Sequence, residues 1–274
     1  MSANGLGLFF PVEISIFSDY LGLKILPLVS DKNASEMAMD RGNLYLIPSS
    51  LGGDEISSIW PRGHVQLVSQ LDVFIVENLR SARRFLRASG YSRSFDKVQF
   101  HLLNKYTQPE ELSGFLSASL EGKSIGLLSE AGAPCIADPG QAIVAIAHRK
   151  NIRVIPLVGP SSILLALMAS GFNGQKFAFS GYLPIGKPER GRMLKILEQK
   201  AWQEDQTQIF METPFRNNQL LAHMVTFLRK DTLLCVACDI TLPAEYIKTQ
   251  SIAAWKKEMP DLHKRTSIFL LFHS

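Results

Sequence analysis

Short apolar runs recur along this chain, each cut off by glycine, proline or serine. Residues 44–47, 71–76, 100–103, 124–128 and 153–157 are such runs, and the pattern predicts buried strands. Between them lie mixed stretches that predict helices over 78–89, 109–121, 141–150 and 161–170, the last closed by Gly171. Apolar strands alternating with helices imply a mostly parallel sheet covered on both faces.

The texture changes after Gly171. Residues 177–183, 208–212, 233–240 and 266–272 are expected as strands of a mixed sheet. Residues 186–192 read as a polar, basic connection, and 241–250 and 258–265 as turn-rich links. The expected architecture is α/β, with two α/β domains and a cleft between them: an extension over 1–42, a first domain over 43–160 and a second over 161–274. Within the extension, 8–29 is apolar, but Glu13, Asp19, Lys24 and two prolines interrupt it, so neither a signal nor a membrane span is expected. Gly5-Leu6-Gly7 lacks the third glycine of a dinucleotide fingerprint.

Composition narrows this only a little. The 274 residues are 46% hydrophobic and 20% charged, as in a globular protein. A net charge of +4 permits an anionic partner without the dense basic tract of a dedicated nucleic-acid binder. Three cysteines make no disulfide framework, so a cytoplasmic setting is expected. Cys235 and Cys238 form a C-x-x-C, but in an apolar strand residues three apart face opposite ways, and core packing is the expectation. The six histidines are scattered, and no metal site is expected.

In an open parallel sheet, ligands bind beyond the carboxyl ends of the strands. Three loops fall there: 48–54, 129–140 and 158–162. The middle one, Ser129-Glu130-Ala131-Gly132-Ala133-Pro134-Cys135-Ile136-Ala137-Asp138-Pro139-Gly140, combines stiffening prolines with small residues that let a ligand approach the backbone. A purely structural turn, with Asp138 as a helix cap, accounts for it equally well. Gly159-Pro160-Ser161-Ser162 likewise reads either as a simple cap or as free amides suited to a carboxylate or ribose oxygen.

Taken in order, LYLIPSSLGGD, LDVFIVENLRSARRFL, LLSEAGAPCIADPG, PLVGPSSILLALMASGF, FAFSGYLP and METPFRN resemble the class III, or tetrapyrrole, methylases. Within them the pattern is most similar to the subgroup that methylates a cytidine ribose of small-subunit ribosomal RNA. The resemblance spans about residues 43–274. It departs from the family where Glu130 stands for the aspartate opening the D-A-G motif, and where Asn78 and Leu79 interrupt an E-D-T-R segment. Thr213 and Phe215 likewise replace the serine and histidine of E-S-P-H-R, and Leu242 stands where a family lysine is expected.

The resemblance implies an S-adenosylmethionine-dependent methyltransferase and a homodimer. It implies that the cofactor touches Pro48, Ser49, Glu130, Ala131, Gly132, Ala133, Pro134, Ser161, Ser162, Met168 and Gly181. A ribose hydroxyl is a poor nucleophile, so a base beside it is expected: Glu130 first, then Glu77 and Glu212. Arg80, Arg83, Arg84 and Arg87 recur at helical spacing with no acid among them, ahead of Arg93, Lys97 and Lys105, and suit phosphate contacts. Lys187, Arg190 and Arg192 are expected as a second, mobile contact over the cleft. Two rivals remain: a methylase acting on a tetrapyrrole or other small anionic substrate, and a non-catalytic RNA-binding relative.

Overall fold

The computed structural model describes residues 41–53 and 60–273. Residues 1–40 of the expected extension, and Asp54 of the first loop, lie outside the described residues.

The chain enters a first sheet at β1 (Leu44–Ile47), followed by α1 (Arg62–Val68), β2 (Val73–Val76), α2 (Leu79–Ala88), β3 (Gln99–Leu102), α3 (Ser117–Leu120), β4 (Ile125–Leu128), α4 (Gln141–Arg149) and β5 (Val154–Pro156). The strand order is β3-β2-β4-β1-β5, and every neighbouring pair is parallel. Alternation sorts each strand's side chains. Phe74, Val76 and Leu128 pack with Val68, Ala82 and Leu86 on one face, beneath α1 and α2. Val73, Ile75 and Leu127 pack with Ala118, Ile143 and Ala147 on the other, beneath α3 and α4. Gly126 leaves room at the centre of the sheet, since a Cβ there would lie 2.6 Å from Ile47 Cδ1 and 2.9 Å from Phe74 Cδ1.

After α5 (Ser162–Ser170) the chain builds a second sheet from β6 (Phe177–Tyr182), α6 (Lys187–Glu204), β7 (Thr207–Met211), α7 (Asn217–Phe227), β8 (Leu233–Cys238), β9 (Tyr246–Ser251), α8 (Ile252–Trp255) and β10 (Ser267–Phe272). The order is β6-β7-β10-β8-β9, with β6 parallel to β7 and the other pairs antiparallel. Leu194, Leu221, Met224 and Trp255 cover one face, and α5 covers the other through Ile163, Ala166 and Leu167. Cys238 packs in the first of these clusters and Cys235 in the second, so the C-x-x-C is split across the strand. Leu51, from the loop after β1, also packs against the α5 side. Both sheets belong to one compact unit.

Four sequence expectations are corrected. Residues 109–121 hold only a single 3₁₀ turn, Gly114–Leu116, and the four-residue α3. Here the polar positions 108–111 are mostly exposed and offer no apolar stripe to bury. Residues 187–192 are no connection but the first turns of α6. Pro188 fits a helix start, and Leu194, Leu197 and Ala201 are buried at spacings of three and four. The segment 241–250 contains most of β9, whose hydrogen bonds to β8 decide its structure over its polar composition. Helices α1, α7 and α8, and the rest of α6, arise where no helix is expected from the pattern. Among the described residues no helix is long and apolar enough to cross a membrane.

Candidate active site

Strand order decides what meets at the carboxyl edge of the first sheet. Because β4 and β1 are neighbours, the loops that follow them leave side by side, and backbone bonds join them. Ser49 N donates to Gly132 O at 3.0 Å and Gly132 N to Ser49 O at 3.2 Å. Ser49 Oγ donates to Ser129 O at 2.8 Å, and Trp60 Nε1 holds Pro48 O at 2.8 Å. The loop after β5 brings Gly159 against the ring of Pro48.

The turn after β4 has a fixed shape. Gly132, Cys135 and Ala137 take left-handed φ values of 70°, 68° and 60°, unusual for the two that carry a Cβ. Asp138 holds this path through Oδ1, which accepts from Cys135 N and Gly140 N, both at 2.8 Å. Asp138 Oδ2 is buried without a partner among the described residues. Burial pushes the Asp138 carboxyl up from the ordinary aspartate range, and the two N–H donors partly offset this. The Cys135 thiol is pushed up to about 11, by burial first and then by the charge of Asp138, so it stays protonated and unreactive at neutral pH.

Above this turn opens a cavity of about 330 Å³. Its floor is Glu130, Ala131, Gly132 and Ala133, with Ser161 and Ser162 at one side and Glu77 and Asp138 at another. The second sheet supplies the remaining wall through Tyr182, Met211, Glu212, Ile240 and Ser267. Apart from Glu212 these residues are absent from the sequence-derived set, because only the folded arrangement brings the second sheet over the first sheet's loops. Burial raises the Glu77 carboxyl above its usual range, the Asp138 charge adds to this, the Glu130 N–H lowers it, and the Glu130 charge raises it slightly. Glu130 is exposed, and its Oε1 accepts from Ser81 Oγ of α2 at 2.5 Å. Glu212 is engaged: its Oε1 accepts from Thr213 N at 2.7 Å and from Arg216 Nε and Nη2 at 3.0 and 2.6 Å. That arrangement holds the Arg216 guanidinium above its ordinary pKa. Among the described residues no group of three or more His, Cys, Asp or Glu side chains is arranged to hold a metal ion.

The other expected positions divide. Ser49 lies on a second, adjoining cavity of about 250 Å³ that shares Leu51, Ser129, Glu130, Ala131 and Thr266 with the first. Pro48 and Pro134 are buried behind the loops, Gly181 precedes the wall residue Tyr182, and Met168 is 78% exposed on α5, off both cavities. On α2, Arg83 lies over Phe95 and Phe100 at 5.5 and 5.4 Å, and Arg87 over Phe95 at 4.0 Å. Arg84 instead lines the second cavity, and Arg80 is exposed. Lys187 is exposed, and Arg192 pairs with Glu189 at 3.1 Å. Arg190 does not belong to the expected basic surface: it is 6% exposed, and its Nε donates to His223 Nδ1 at 2.9 Å inside the second lobe.

The arrangement of the two sheets shares the fold of the methyltransferase CobJ. That solved structure superposes with a TM-score of 0.58 at 14% identity, over 85% of this chain and 95% of the other. No family model matches the chain. Ribosomal RNA small subunit methyltransferase I of Synechocystis sp. is 32% identical over 200 residues, which is 73% of this chain and 67% of that protein. The protein of the same name from Buchnera aphidicola subsp. Schizaphis graminum is 30% identical over 233 residues, 84% of this chain and 78% of its own length. The chain belongs to the ribosomal RNA small subunit methyltransferase I family.

Proposed function

We propose that this protein transfers a methyl group from S-adenosylmethionine to a ribose 2′-hydroxyl of small-subunit ribosomal RNA, at a cytidine. The observation that carries the reading is the side-chain-poor floor Ala131-Gly132-Ala133, bridged to Ser49 at the carboxyl edge of a parallel sheet, in a chain that matches rRNA methyltransferases over 84% of its length.

The residues fit that donor. A Cβ at Gly132 would approach Leu51 Cδ2 to 3.1 Å and Pro160 O to 3.3 Å, so glycine keeps the floor clear. Glu77, Glu130 and Asp138 give the wall a negative character, suited to a ligand cationic at sulfur and at its amino group. Glu130, Ala131, Gly132, Ala133, Ser161 and Ser162 would hold it. When bound, S-adenosylmethionine supplies the methyl group, which passes from sulfur to the ribose oxygen while the carbon–sulfur electron pair stays on sulfur. The chain's first task is alignment, a source of about 7–11 kcal/mol in well-oriented reactions. Its second is to receive the hydroxyl proton, a contribution of about 10²–10⁴-fold. Glu130 takes that role, being held by Ser81 at the junction of the two cavities, with Glu77 beside it. Glu212, committed to Arg216, is the weaker candidate.

The RNA face comprises α2 with Arg80, Arg83, Arg84 and Arg87, and Lys187 and Arg192 at the start of α6. A homodimer and a cytoplasmic location among ribosomes complete the reading. Purified protein, labelled methyl donor and small subunits from cells lacking the gene test it. Label at a ribose of small-subunit RNA is expected. Label on a tetrapyrrole acid instead overturns the substrate, and failure to bind the donor in calorimetry leaves a non-catalytic relative. Sedimentation reads the dimer.

A further inference from the structure

We propose that the second cavity receives the acceptor nucleotide, with Arg84 toward its phosphate and Ser81 holding Glu130 against its ribose. This rests on the methyltransferase reading above and adds to it the place and charge contact of the substrate.

Geometry comes first. The two cavities meet along a common wall in which Glu130 is the charged member, so a group in the smaller cavity and one in the larger both face the same carboxylate. A methyl acceptor has to lie beside the donor, and the five shared residues place the two spaces next to each other. Ser81 ties the wall to α2: its Oγ is 2.5 Å from Glu130 Oε1, closer than its 3.1 Å approach to the Asn78 carbonyl. Ser81 is in the first turn of α2 and Arg84 one turn further on, so one helix face sets both the carboxylate and the guanidinium.

Charge then sorts the two spaces. Glu77 and Asp138 line the larger cavity and not the smaller, and they repel a phosphate there. The smaller one carries Arg84, which no carboxylate of the described residues pairs, together with the hydroxyls of Ser50, Ser81 and Thr266 and the bare backbone of Gly52 and Gly53. Hydroxyls and open backbone suit a sugar edge, and a guanidinium suits phosphate oxygens. Arg83 and Arg87, one residue before Arg84 and three after, lie over Phe95 and Phe100 and do not line this cavity. At about 250 Å³ the cavity suits a ribose with its phosphate, not a four-ring macrocycle.

The test uses the full-length protein as wild type, Arg84→Ala, Arg84→Lys and the surface control Lys200→Ala. Donor affinity is read by calorimetry, and KM for small subunits lacking the modification is read across a salt series. Arg84→Ala should raise KM about five- to tenfold and flatten the slope of log KM against log salt by about one, with Arg84→Lys intermediate. Donor affinity should stay within about twofold, and Lys200→Ala should match wild type. An unchanged KM and slope in Arg84→Ala, with wild type active, overturns the proposal. Should wild type methylate no subunit RNA or bind no donor, the parent reading fails. The cavity is then judged by anisotropy of a fluorescein-labelled ribo-oligonucleotide, where equal affinity and salt slope for wild type and Arg84→Ala overturn it and a weaker, flatter response of Arg84→Ala supports it.

Discussion

Gly159 and Pro48 touch so closely that no other residue fits at 159 as the chain stands: a Cβ there would lie 2.2 Å from Pro48 Cγ and 2.5 Å from its Cβ. The contact locks the loop after β5 to the loop after β1. Both flank the floor of the larger cavity, so packing behind the site governs its shape.

Gly159→Ala should therefore cost about 1–3 kcal/mol through overpacking, lowering the melting temperature by several degrees. Donor affinity should fall with it. Thermal melts and calorimetry measure both, and an unperturbed melting temperature would show that the two loops separate freely.

Glu130→Gln keeps the size and the Ser81 hydrogen bond but cannot take a proton. The expected result is a kcat lower by about 10²-fold in single-turnover methylation, with donor affinity nearly unchanged. A full rate in this variant shifts the proton-accepting role to Glu77.

Glu77 carries a stability signature. Its folded pKa is raised, chiefly by burial and next by Asp138, so the folded state keeps the proton where the unfolded chain has lost it. Stability from this group thus falls as pH rises from about 4.3 to the raised value, and the deficit persists above it. Glu77→Gln should be the more stable protein at neutral pH and lose that advantage below the unfolded value. Denaturation midpoints of both proteins against pH decide this; a constant difference contradicts it.

The α2 arginines should separate by measurement. Arg83→Ala gives up stacking over Phe95 and Phe100, worth about 0.5–1 kcal/mol at an exposed site, whereas Arg84→Ala should leave the melting temperature unchanged. Changing both to alanine should weaken RNA binding in a salt-dependent way. An unchanged salt slope for the double variant would remove them from the interface.

How much of this could be read from the chain depends on range. The runs ending at Ile47, Val76 and Leu128 are local signals, and the strands formed there within a residue or two. The loop around Glu130 to Ala133 was legible because small residues and prolines cluster in sequence. Strand order is not local: nothing in the residues says that β4 lies beside β1, which is what joins Ser49 to Gly132. The Arg190 burial was hidden because its partner His223 is 33 positions away on another helix. Helix α6 as a whole is absent from the expected elements, because Lys187, Arg190 and Arg192 mask an apolar stripe that begins only at Leu194. The division of α2's arginines needed the rings of Phe95 and Phe100, supplied by a later turn and strand.

The left-handed residues Cys135 and Ala137, pinned by Asp138, have a thermodynamic consequence for whatever occupies the floor beside them. A turn already frozen during folding has no freedom left to surrender when a ligand arrives, so association sheds little chain entropy and departure of the spent molecule requires no melting of the loop. Exchange of used for fresh ligand is then governed by contacts within the cavity instead of by a gate made from this turn.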